Sequence, residues 1–121
     1  MNFTKAHFIG IAGKGMSAVA LLLRQMGVRI TGSDEGFYPP VSDYLRSEKI
    51  PFASGYRKEN IPEDADVIVI GKNARLVPES NEEVRAAMAS GKRVASFADL
   101  LQEMTELVGD ATTAKTRHRP R

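Results

Sequence analysis

The sequence predicts an α/β fold, a Rossmann-like open parallel sheet of about five strands with helices on both faces. Short apolar runs alternate with segments of helical periodicity, the pattern of a parallel sheet with right-handed crossovers. The first apolar run lacks polar alternation, which is typical of a strand covered on both faces. A glycine-rich turn at residues 10–15 joins this run to an amphipathic segment. Strand, glycine turn and helix in this order indicate a nucleotide-binding βαβ unit.

The first βαβ unit is predicted from residues 8–34. The strand at 8–11 contains Phe, Ile and Ile, and the helix that follows ends at Gly27, a favoured C-terminal cap. Apolar residues recur at helical spacing along this helix: Met16, Val19, Ala20, Leu22, Leu23 and Met26. Residues 28–31 form the second strand, and Asp34 lies at its end.

The middle of the chain is predicted to contain a helix, a short strand and a well-defined strand. Pro40 can begin the helix indicated by Val41, Tyr44 and Leu45, because proline suits the first helical turn. Residues 50–53 form a short third strand, and a loop follows to Asp64. Residues 67–70 are four β-branched residues and give the clearest strand of the sequence.

The last third predicts a helix, a fifth strand and a final helix. Ser80 or Asn81 caps the first of these helices, and Gly91 ends it. Its buried face is predicted to contain Val84, Ala87 and Met88. Residues 93–95 form the fifth strand. The last helix covers 97–107, with Ser96 as its cap.

Length and composition indicate one ordinary globular domain. The chain has 121 residues, of which 42% are hydrophobic and 26% charged. No apolar run approaches the ~20 residues of a membrane span, and the N-terminus lacks the pattern of a signal peptide. Cysteine is absent, which excludes disulfides and thiolate chemistry. We therefore expect a cytoplasmic protein without a membrane partner.

The basic charge is concentrated at the C-terminal end. Residues 1–107 contain 13 basic and 14 acidic residues, and residues 108–121 contain four basic and one acidic. A nucleic-acid-binding protein needs a basic face on the domain itself, so we expect no nucleic-acid partner. Apolar periodicity stops near Gly109, and 108–121 are predicted to be a disordered tail.

The glycine turn fits the dinucleotide fingerprint only in part. Against G-x-G-x-x-G the chain has Gly10-x-Ala12-x-x-Gly15, with Gly13 in addition. Because the middle glycine allows the closest approach to a pyrophosphate, Ala12 makes NAD or FAD binding less favourable without excluding it. The turn and the following helix N-terminus still suit a diphosphate. The alternative is a turn that serves tight packing alone.

Several polar residues near this turn have two interpretations each. Asp34 can accept a hydrogen bond from a sugar or base, or it caps its own loop. Lys14 lies over the phosphates or points to solvent. Gly71, Lys72 and Asn73 follow the fourth strand, at the edge where open α/β sheets bind ligands. Asn73 is the polar candidate there, although asparagine is also a common turn residue.

No catalytic or metal site is predicted. His7 precedes the first strand and His118 lies in the tail, and neither has a partner at the spacing of a metal site or a catalytic triad. The acidic residues are scattered, without a pair that suggests general acid–base chemistry.

The motifs together resemble the N-terminal domain of the Mur ligases, over residues 6–107. The resemblance rests on HFIGIAGKGMS at 7–17 and TGSD at 31–34, and it is strongest for the UDP-N-acetylmuramate–alanine ligase type. Two further motifs are similar to the murein peptide ligase type: Tyr-Pro-Pro at 38–40, and Ile-Gly-Lys-Asn-Ala at 70–74, which has one inserted residue.

This resemblance implies a domain that binds the UDP part of UDP-N-acetylmuramate. Carried over by position, five residues would bind the diphosphate: Gly13, Lys14, Gly15, Met16 and Ser17. Asp34 would lie near the uridine, and the loop that contains Gly71 and Asn73 would close over the ligand. Ala12 departs from the usual glycine of the alanine-adding type, and Lys14 replaces a residue that is often apolar.

The resemblance also implies that the ligase chemistry lies elsewhere. Family members have a central ATPase domain, which uses ATP and Mg²⁺, and a C-terminal domain for the incoming amino acid or peptide. Residues 109–116 read G-x-x-x-x-A-K-T, a phosphate-loop pattern without its second glycine, and five residues follow it. We interpret this pattern as coincidence or a degenerate remnant. We expect no cofactor in this chain and no catalysis by it alone.

Two other functions remain open from the sequence. The chain could be a small NAD- or CoA-binding regulatory module, which the glycine turn and Asp34 would also suit. It could also be an interaction domain that uses a nucleotide-binding fold as a scaffold.

Overall fold

The computed structural model describes the backbone of residues 3–116 and the side chains of residues 3–106. Strands and helices alternate throughout, with one 3₁₀ turn at Lys58–Asn60. The elements are β1 (Lys5–Ile9), α1 (Lys14–Gln25), β2 (Arg29–Asp34), α2 (Val41–Ser47), β3 (Phe52–Ser54), β4 (Val67–Ile70), α3 (Glu82–Ala89), β5 (Arg93–Ser96) and α4 (Phe97–Thr116).

The five strands form one parallel sheet in the order β3-β2-β1-β4-β5. The predicted fold class is therefore confirmed. From β1 the chain moves outward to β2 and β3, and it then crosses back to place β4 on the other side of β1. The strand order reverses between β1 and β4, which creates a crevice at the carboxyl ends of these two strands.

Alternating side chains of the strands build a core on each face of the sheet. Ala6 and Phe8 of β1 pack in a cluster with residues of α1, α2 and α4. Ile9 packs on the opposite face with Val84 and Ala87 of α3. This alternation follows from the two-residue period of a strand. It also directs His7 to the α3 face.

Four of the predicted helix ends are confirmed by their caps. Gly27 and Gly91 follow α1 and α3 with φ of +95° and +78°, values that favour glycine. The Oδ1 of Asn81 accepts a hydrogen bond from the Val84 amide at 3.0 Å. The Oγ of Ser96 accepts one from the Asp99 amide, also at 3.0 Å.

Strand boundaries differ from the prediction at β1 and β2. β1 covers Lys5–Ile9, so that His7 lies inside the strand and not before it, and Ile11 lies in the turn beyond. β2 continues to Asp34 because Gly32 and Ser33 pair with both β1 and β3. Pairing with β1 and β3 therefore extends β2 through small and polar residues, which an apolar pattern in the sequence does not indicate.

The predicted burial of Met88 is wrong: 56% of this residue is exposed. Val84 and Ala87 alone bury the apolar side of α3, because Glu83 takes the remaining inward position of the helix. Leu22 of α1 and Met26, which follows this helix, are also 47% and 53% exposed. Helical spacing identifies the apolar face of a helix. How much of that face is buried depends on the neighbouring elements that pack against it.

The last helix is longer than the sequence predicts. Its apolar periodicity ends at Leu107, whereas its helical backbone continues to Thr116, through residues that the sequence assigns to a disordered tail. Apolar periodicity marks only the part of a helix that is buried. The helix itself can continue through any residues that tolerate helical backbone angles. Residues 117–121, including His118, lie outside the described residues. Within the part of the chain that was described, no helix has the length and apolar character to span a bilayer.

Candidate functional site

A cleft of about 520 Å³ lies at the carboxyl ends of the strands, at the crevice between β1 and β4. A second hollow of about 390 Å³ adjoins it and shares Gly13, Asp34 and Asn73. The larger cleft is lined by Gly10, Gly13, Gly15, Met16, Asp34, Tyr56, Gly71, Lys72, Asn73, Leu76 and Phe97. Its volume is in the range of small-molecule sites.

The glycine turn after β1 is held by its own hydrogen bonds. The amides of Gly10 and Ile11 donate to the Ser33 carbonyl at 2.8 and 3.0 Å. The Ala12 amide donates to Oδ2 of Asp34 at 2.9 Å, and the Gly13 amide to the Gly10 carbonyl at 3.2 Å. The first four amides of the turn are therefore already paired within the protein.

The next three amides, at the N-terminus of α1, are different. Gly13 is the N-cap and has no side chain to cap the helix, and the first helical amide with a partner is that of Ser17, which donates to the Gly13 carbonyl at 2.8 Å. Among the described residues, no acceptor pairs with the amides of Lys14, Gly15 and Met16. Three free donors and the positive end of a helix dipole suit an anion.

Two glycines of this region are required by close packing. A Cβ on Gly15 would lie 2.9 Å from ring atoms of Phe97, and a Cβ on Gly32 would lie 2.5 Å from Cδ1 of Ile11. By contrast, a Cβ on Gly13 would meet nothing nearer than the Gly10 carbonyl at 3.5 Å, an ordinary contact. Packing alone therefore does not explain the glycine at position 13.

Asp34 caps the glycine turn and also lines the cleft. Its Oδ2 accepts the Ala12 amide, and its Oδ1 accepts the Glu35 amide at 2.7 Å and the Tyr56 hydroxyl at 3.2 Å. Burial, followed by the charge of Asp34, raises the pKa of Tyr56 well above its usual value. A carboxylate has about four acceptor positions, so that about one of them is left for a further donor.

The opposite wall of the cleft is the loop after β4. Oδ1 of Asn73 accepts the Arg75 amide at 2.9 Å, which closes a tight turn. Nη1 of Arg75 lies 2.6 Å from both carboxylate oxygens of Glu35, on the loop after β2. These bonds raise the pKa of Arg75 above its usual value. The exposed pair therefore joins the loops on the two sides of the crevice.

Six of the eight predicted site residues line the cleft: Gly13, Gly15, Met16, Asp34, Gly71 and Asn73. The other two do not. Lys14 is exposed, and Ser17 is 6% exposed with its hydroxyl donating to the Lys14 carbonyl at 3.1 Å. Sequence reasoning missed Tyr56 and Phe97. Both come soon after a strand of the sheet, and this position at its carboxyl edge could have indicated them.

His7 has a partner that its sequence position does not reveal. Its Nε2 lies 2.6 Å from Oε2 of Glu83, and the two side chains are 1% and 0% exposed. Because both are closed off from solvent, this pair cannot reach a substrate. Among the described residues, no group of three or more His, Cys, Asp or Glu side chains could hold a metal ion.

Comparison with known proteins places this fold in a family. The family model described as "Mur ligase family, catalytic domain" matches residues 5–108. The UDP-N-acetylmuramate–L-alanine ligase of Symbiobacterium thermophilum is 38% identical over 104 residues, which are 82% of this chain and 20% of that protein.

Solved structures show the same likeness. A murein peptide ligase from Psychrobacter arcticus superposes with a TM-score of 0.74 at 29% identity, over 83% of this chain and 20% of the other. The UDP-N-acetylmuramate–alanine ligase of Thermotoga maritima gives a TM-score of 0.75 at 27% identity, over 84% of this chain and 23% of the other. The chain thus spans about a fifth of the length of these relatives. With its fold, its glycine turn and its matched residues, the chain belongs to the Mur ligase family.

Proposed function

We propose that residues 1–107 are the N-terminal domain of a Mur ligase and bind the UDP part of UDP-N-acetylmuramate. The main support is the row of free amides at the start of α1, where Gly15 and Met16 line the cleft. A diphosphate would accept hydrogen bonds from the amides of Lys14, Gly15 and Met16 and would interact favourably with the helix dipole. The relatives named above are ligases of UDP-N-acetylmuramate or of murein peptide.

The open position at Gly13 supports the same proposal. A side chain there would meet little resistance from the protein and would occupy space in the cleft, which Gly13 lines. A glycine leaves this space for a ligand. Asp34, across the same cleft, would use its remaining acceptor position for one hydroxyl or N–H group of the nucleoside.

We further propose that this domain is a binding domain and performs no catalysis alone. ATP, Mg²⁺ and the amine substrate would be bound by other parts of a full-length ligase. In such a ligase ATP would phosphorylate the muramoyl carboxylate, and the amine would then attack the acyl phosphate. The domain would contribute the fixed position of the nucleotide end of the substrate. It would serve in the same way in an alanine-adding or a tripeptide-adding enzyme.

Calorimetric titration tests this proposal directly. We expect UDP-N-acetylmuramate and UDP to bind with dissociation constants below millimolar, and uridine, which has no diphosphate, to bind far more weakly. NADH and coenzyme A serve as the competing ligands. Absence of any heat of binding with millimolar UDP-N-acetylmuramate would contradict the proposal. Tighter binding of NADH than of UDP would favour a dinucleotide-binding module instead.

A further inference from the structure

The geometry points to Glu83 as a positioning residue of the cleft. We infer that its buried carboxylate holds the segment around Tyr56, so that the Tyr56 hydroxyl reaches Asp34 and completes the wall of the site. Glu83 lies on α3 and does not line the cleft itself. The effect on ligand affinity rests on the proposed function, whereas the effect on Tyr56 does not.

Glu83 is the centre of a buried hydrogen-bond network and is 0% exposed. Its Oε1 accepts the Arg57 amide at 3.1 Å and the Asn60 side-chain amide at 2.7 Å. Its Oε2 accepts the Ser33 hydroxyl at 2.7 Å and Nε2–H of His7 at 2.6 Å. Four donors fill the four acceptor positions of one carboxylate.

The Oε1 side of this network fixes the backbone on both sides of Tyr56. The Arg57 amide belongs to the peptide bond that follows Tyr56. The Asn60 side chain donates to the Gly55 carbonyl at 2.8 Å, on the preceding side, as well as to Glu83. With its backbone held in this way, Tyr56 places its hydroxyl 3.2 Å from Oδ1 of Asp34.

The Oε2 side anchors Glu83 to the central strands. His7 lies on β1 and Ser33 on β2, and Nδ1 of His7 lies 2.7 Å from the Thr31 hydroxyl. One carboxylate therefore connects three parts of the fold: the two central strands, α3 and the segment after β3. Burying a carboxylate is costly, and a network in which every donor is satisfied is the arrangement that defines a unique geometry.

The substitutions Glu83→Gln and Glu83→Ala separate positioning from bulk structure. A glutamine keeps one acceptor oxygen. The Arg57 backbone amide can only donate, and the Asn60 NH2 group is held toward Glu83 by its second bond, to the Gly55 carbonyl. By contrast, the Ser33 hydroxyl can rotate and His7 can change tautomer to accept at Nε2. The glutamine oxygen is therefore expected to face Arg57 and Asn60 and to preserve their bonds. Alanine removes these bonds and leaves the buried donors of Ser33 and His7, and the part-buried donors of Arg57 and Asn60, without this acceptor.

The readout is whether the Tyr56 ring ionises near the ordinary tyrosine pKa of 10.0, followed by carbon-13 NMR and assigned with Tyr56→Phe. In Glu83→Ala we expect the pKa of Tyr56 to fall toward its ordinary value, because the hydroxyl leaves Asp34 and becomes hydrated. In Glu83→Gln we expect it to stay raised, while nitrogen-15 NMR shows the changed tautomer of His7. An unchanged Tyr56 titration in a folded Glu83→Ala protein would overturn the inference.

Two further variants keep the test decisive. If Glu83→Ala does not fold, Asn60→Ala removes the same restraint from the half-buried side, and an unchanged Tyr56 titration in that variant overturns the inference. Glu82→Ala removes the neighbouring exposed carboxylate, which accepts only the Lys58 amide of this segment, at 2.9 Å. An equal change in Glu82→Ala would also overturn the assignment to Glu83.

Ligand titration adds an arm that depends on the proposed function. We expect UDP to bind roughly fivefold to tenfold more weakly to Glu83→Ala, the effect of about one hydrogen bond, and within about twofold of wild type to Glu83→Gln. Wild-type protein that binds no UDP would contradict the proposed function and leave the Tyr56 result intact. Undiminished UDP affinity in Glu83→Ala, with UDP bound by wild type, would overturn the inference for the ligand.

Discussion

Asp34 stabilises the protein at the place where it is also expected to meet a ligand. Its carboxylate holds the Ala12 amide on one side and the Glu35 amide and Tyr56 hydroxyl on the other. Truncation of Asp34 would therefore disturb the glycine turn as well as ligand binding. A loss of affinity in such a variant has to be interpreted together with its stability.

We predict that Asp34→Asn lowers the free energy of unfolding by about 1 kcal/mol, because the amide group cannot accept from all three donors. The pKa of Tyr56 should fall toward its ordinary value of 10.0, because the negative charge beside it is removed. Urea unfolding and ring titration measure the two effects. Tyr56→Phe, which leaves the Ala12 bond in place, is the control and should lose less stability. Unaltered stability in Asp34→Asn would contradict the prediction.

At the scale of elements, the N-terminus of α1 is uncapped where a cap would be easy to supply. Gly13 has φ of −61° and ψ of 149°, which is extended backbone open to any residue. Side chains such as Asp or Ser stabilise this position in other helices. Because no side chain caps the helix, the amides of Lys14, Gly15 and Met16 remain available to donate hydrogen bonds to an external acceptor.

We predict that Gly13→Asp raises thermal stability slightly, by a few tenths of a kcal/mol, and weakens UDP binding at least about tenfold. The new carboxylate would accept hydrogen bonds from the free amides and would repel the negatively charged diphosphate. Thermal unfolding and calorimetry measure the two effects. Met88→Glu adds the same charge at an exposed position on α3 and should leave the affinity unaltered. Undiminished UDP affinity in Gly13→Asp would locate the phosphates elsewhere.

The contact between α1 and the start of α4 permits a second test. A Cβ at position 15 would lie 2.9 Å from the Phe97 ring, so we predict that Gly15→Ala costs about 1–3 kcal/mol of stability by overpacking. Helix propensity offsets part of this cost. In a Phe97→Leu background the cost should disappear, so the double-mutant cycle should give a coupling equal to that cost, about 1–3 kcal/mol. An additive cycle would show that the ring does not restrict position 15.

At the scale of the whole molecule, local patterns predicted most of the architecture. The apolar run of β4, the glycines that end α1 and α3, and the caps at Asn81 and Ser96 are encoded in neighbouring residues, and the structure confirms them. The parallel sheet follows from the alternation of these elements. The glycine turn and Asp34 also located the cleft, because both follow strands that end at the same edge.

Contacts between distant residues were not predictable in this way. His7 and Glu83 are 76 positions apart, and neither has a local pattern that indicates the other. A glutamate in the first turn of α3 is expected to face solvent and interact with the helix dipole. It is buried because the fold brings polar partners to it. Met88 is exposed for the complementary reason, since no element with described side chains covers it.

The junction of β1 and β4 gives the whole molecule an acid-sensitive contact. Oδ2 of Asp66 accepts the Thr4 amide at 2.6 Å, the Thr4 hydroxyl at 2.8 Å and the Lys5 amide at 3.0 Å. The bond from the Thr4 amide is the largest of the causes that lower the pKa of Asp66 below its ordinary value of 3.8. Because the pKa of Asp66 is lowered in the folded state, its ionised carboxylate stabilises the protein above pH 3.8. This contribution is lost as the pH falls through the folded-state pKa.

We therefore predict that Asp66→Asn is less stable than wild type near neutral pH and that the difference narrows below about pH 4. The asparagine has one acceptor oxygen and no charge at any pH. The stability of the Asp66→Asn protein therefore lacks the pH dependence that protonation of Asp66 gives to the wild type. Urea unfolding at a series of pH values measures the two curves. A difference that stays constant down to strongly acidic pH would contradict the prediction.

The ion pair between Glu35 and Arg75 makes the mouth of the cleft responsive to ionic strength. Both side chains are exposed, at 51% and 69%, so dissolved ions weaken their attraction, unlike the buried bonds of Glu83. The two rims of the crevice are therefore tied together most firmly in dilute buffer. Added salt weakens the Glu35–Arg75 ion pair but leaves the hydrogen bonds of the sheet unchanged. The loops at the mouth of the cleft are therefore expected to become more mobile at salt concentrations that do not affect the strands.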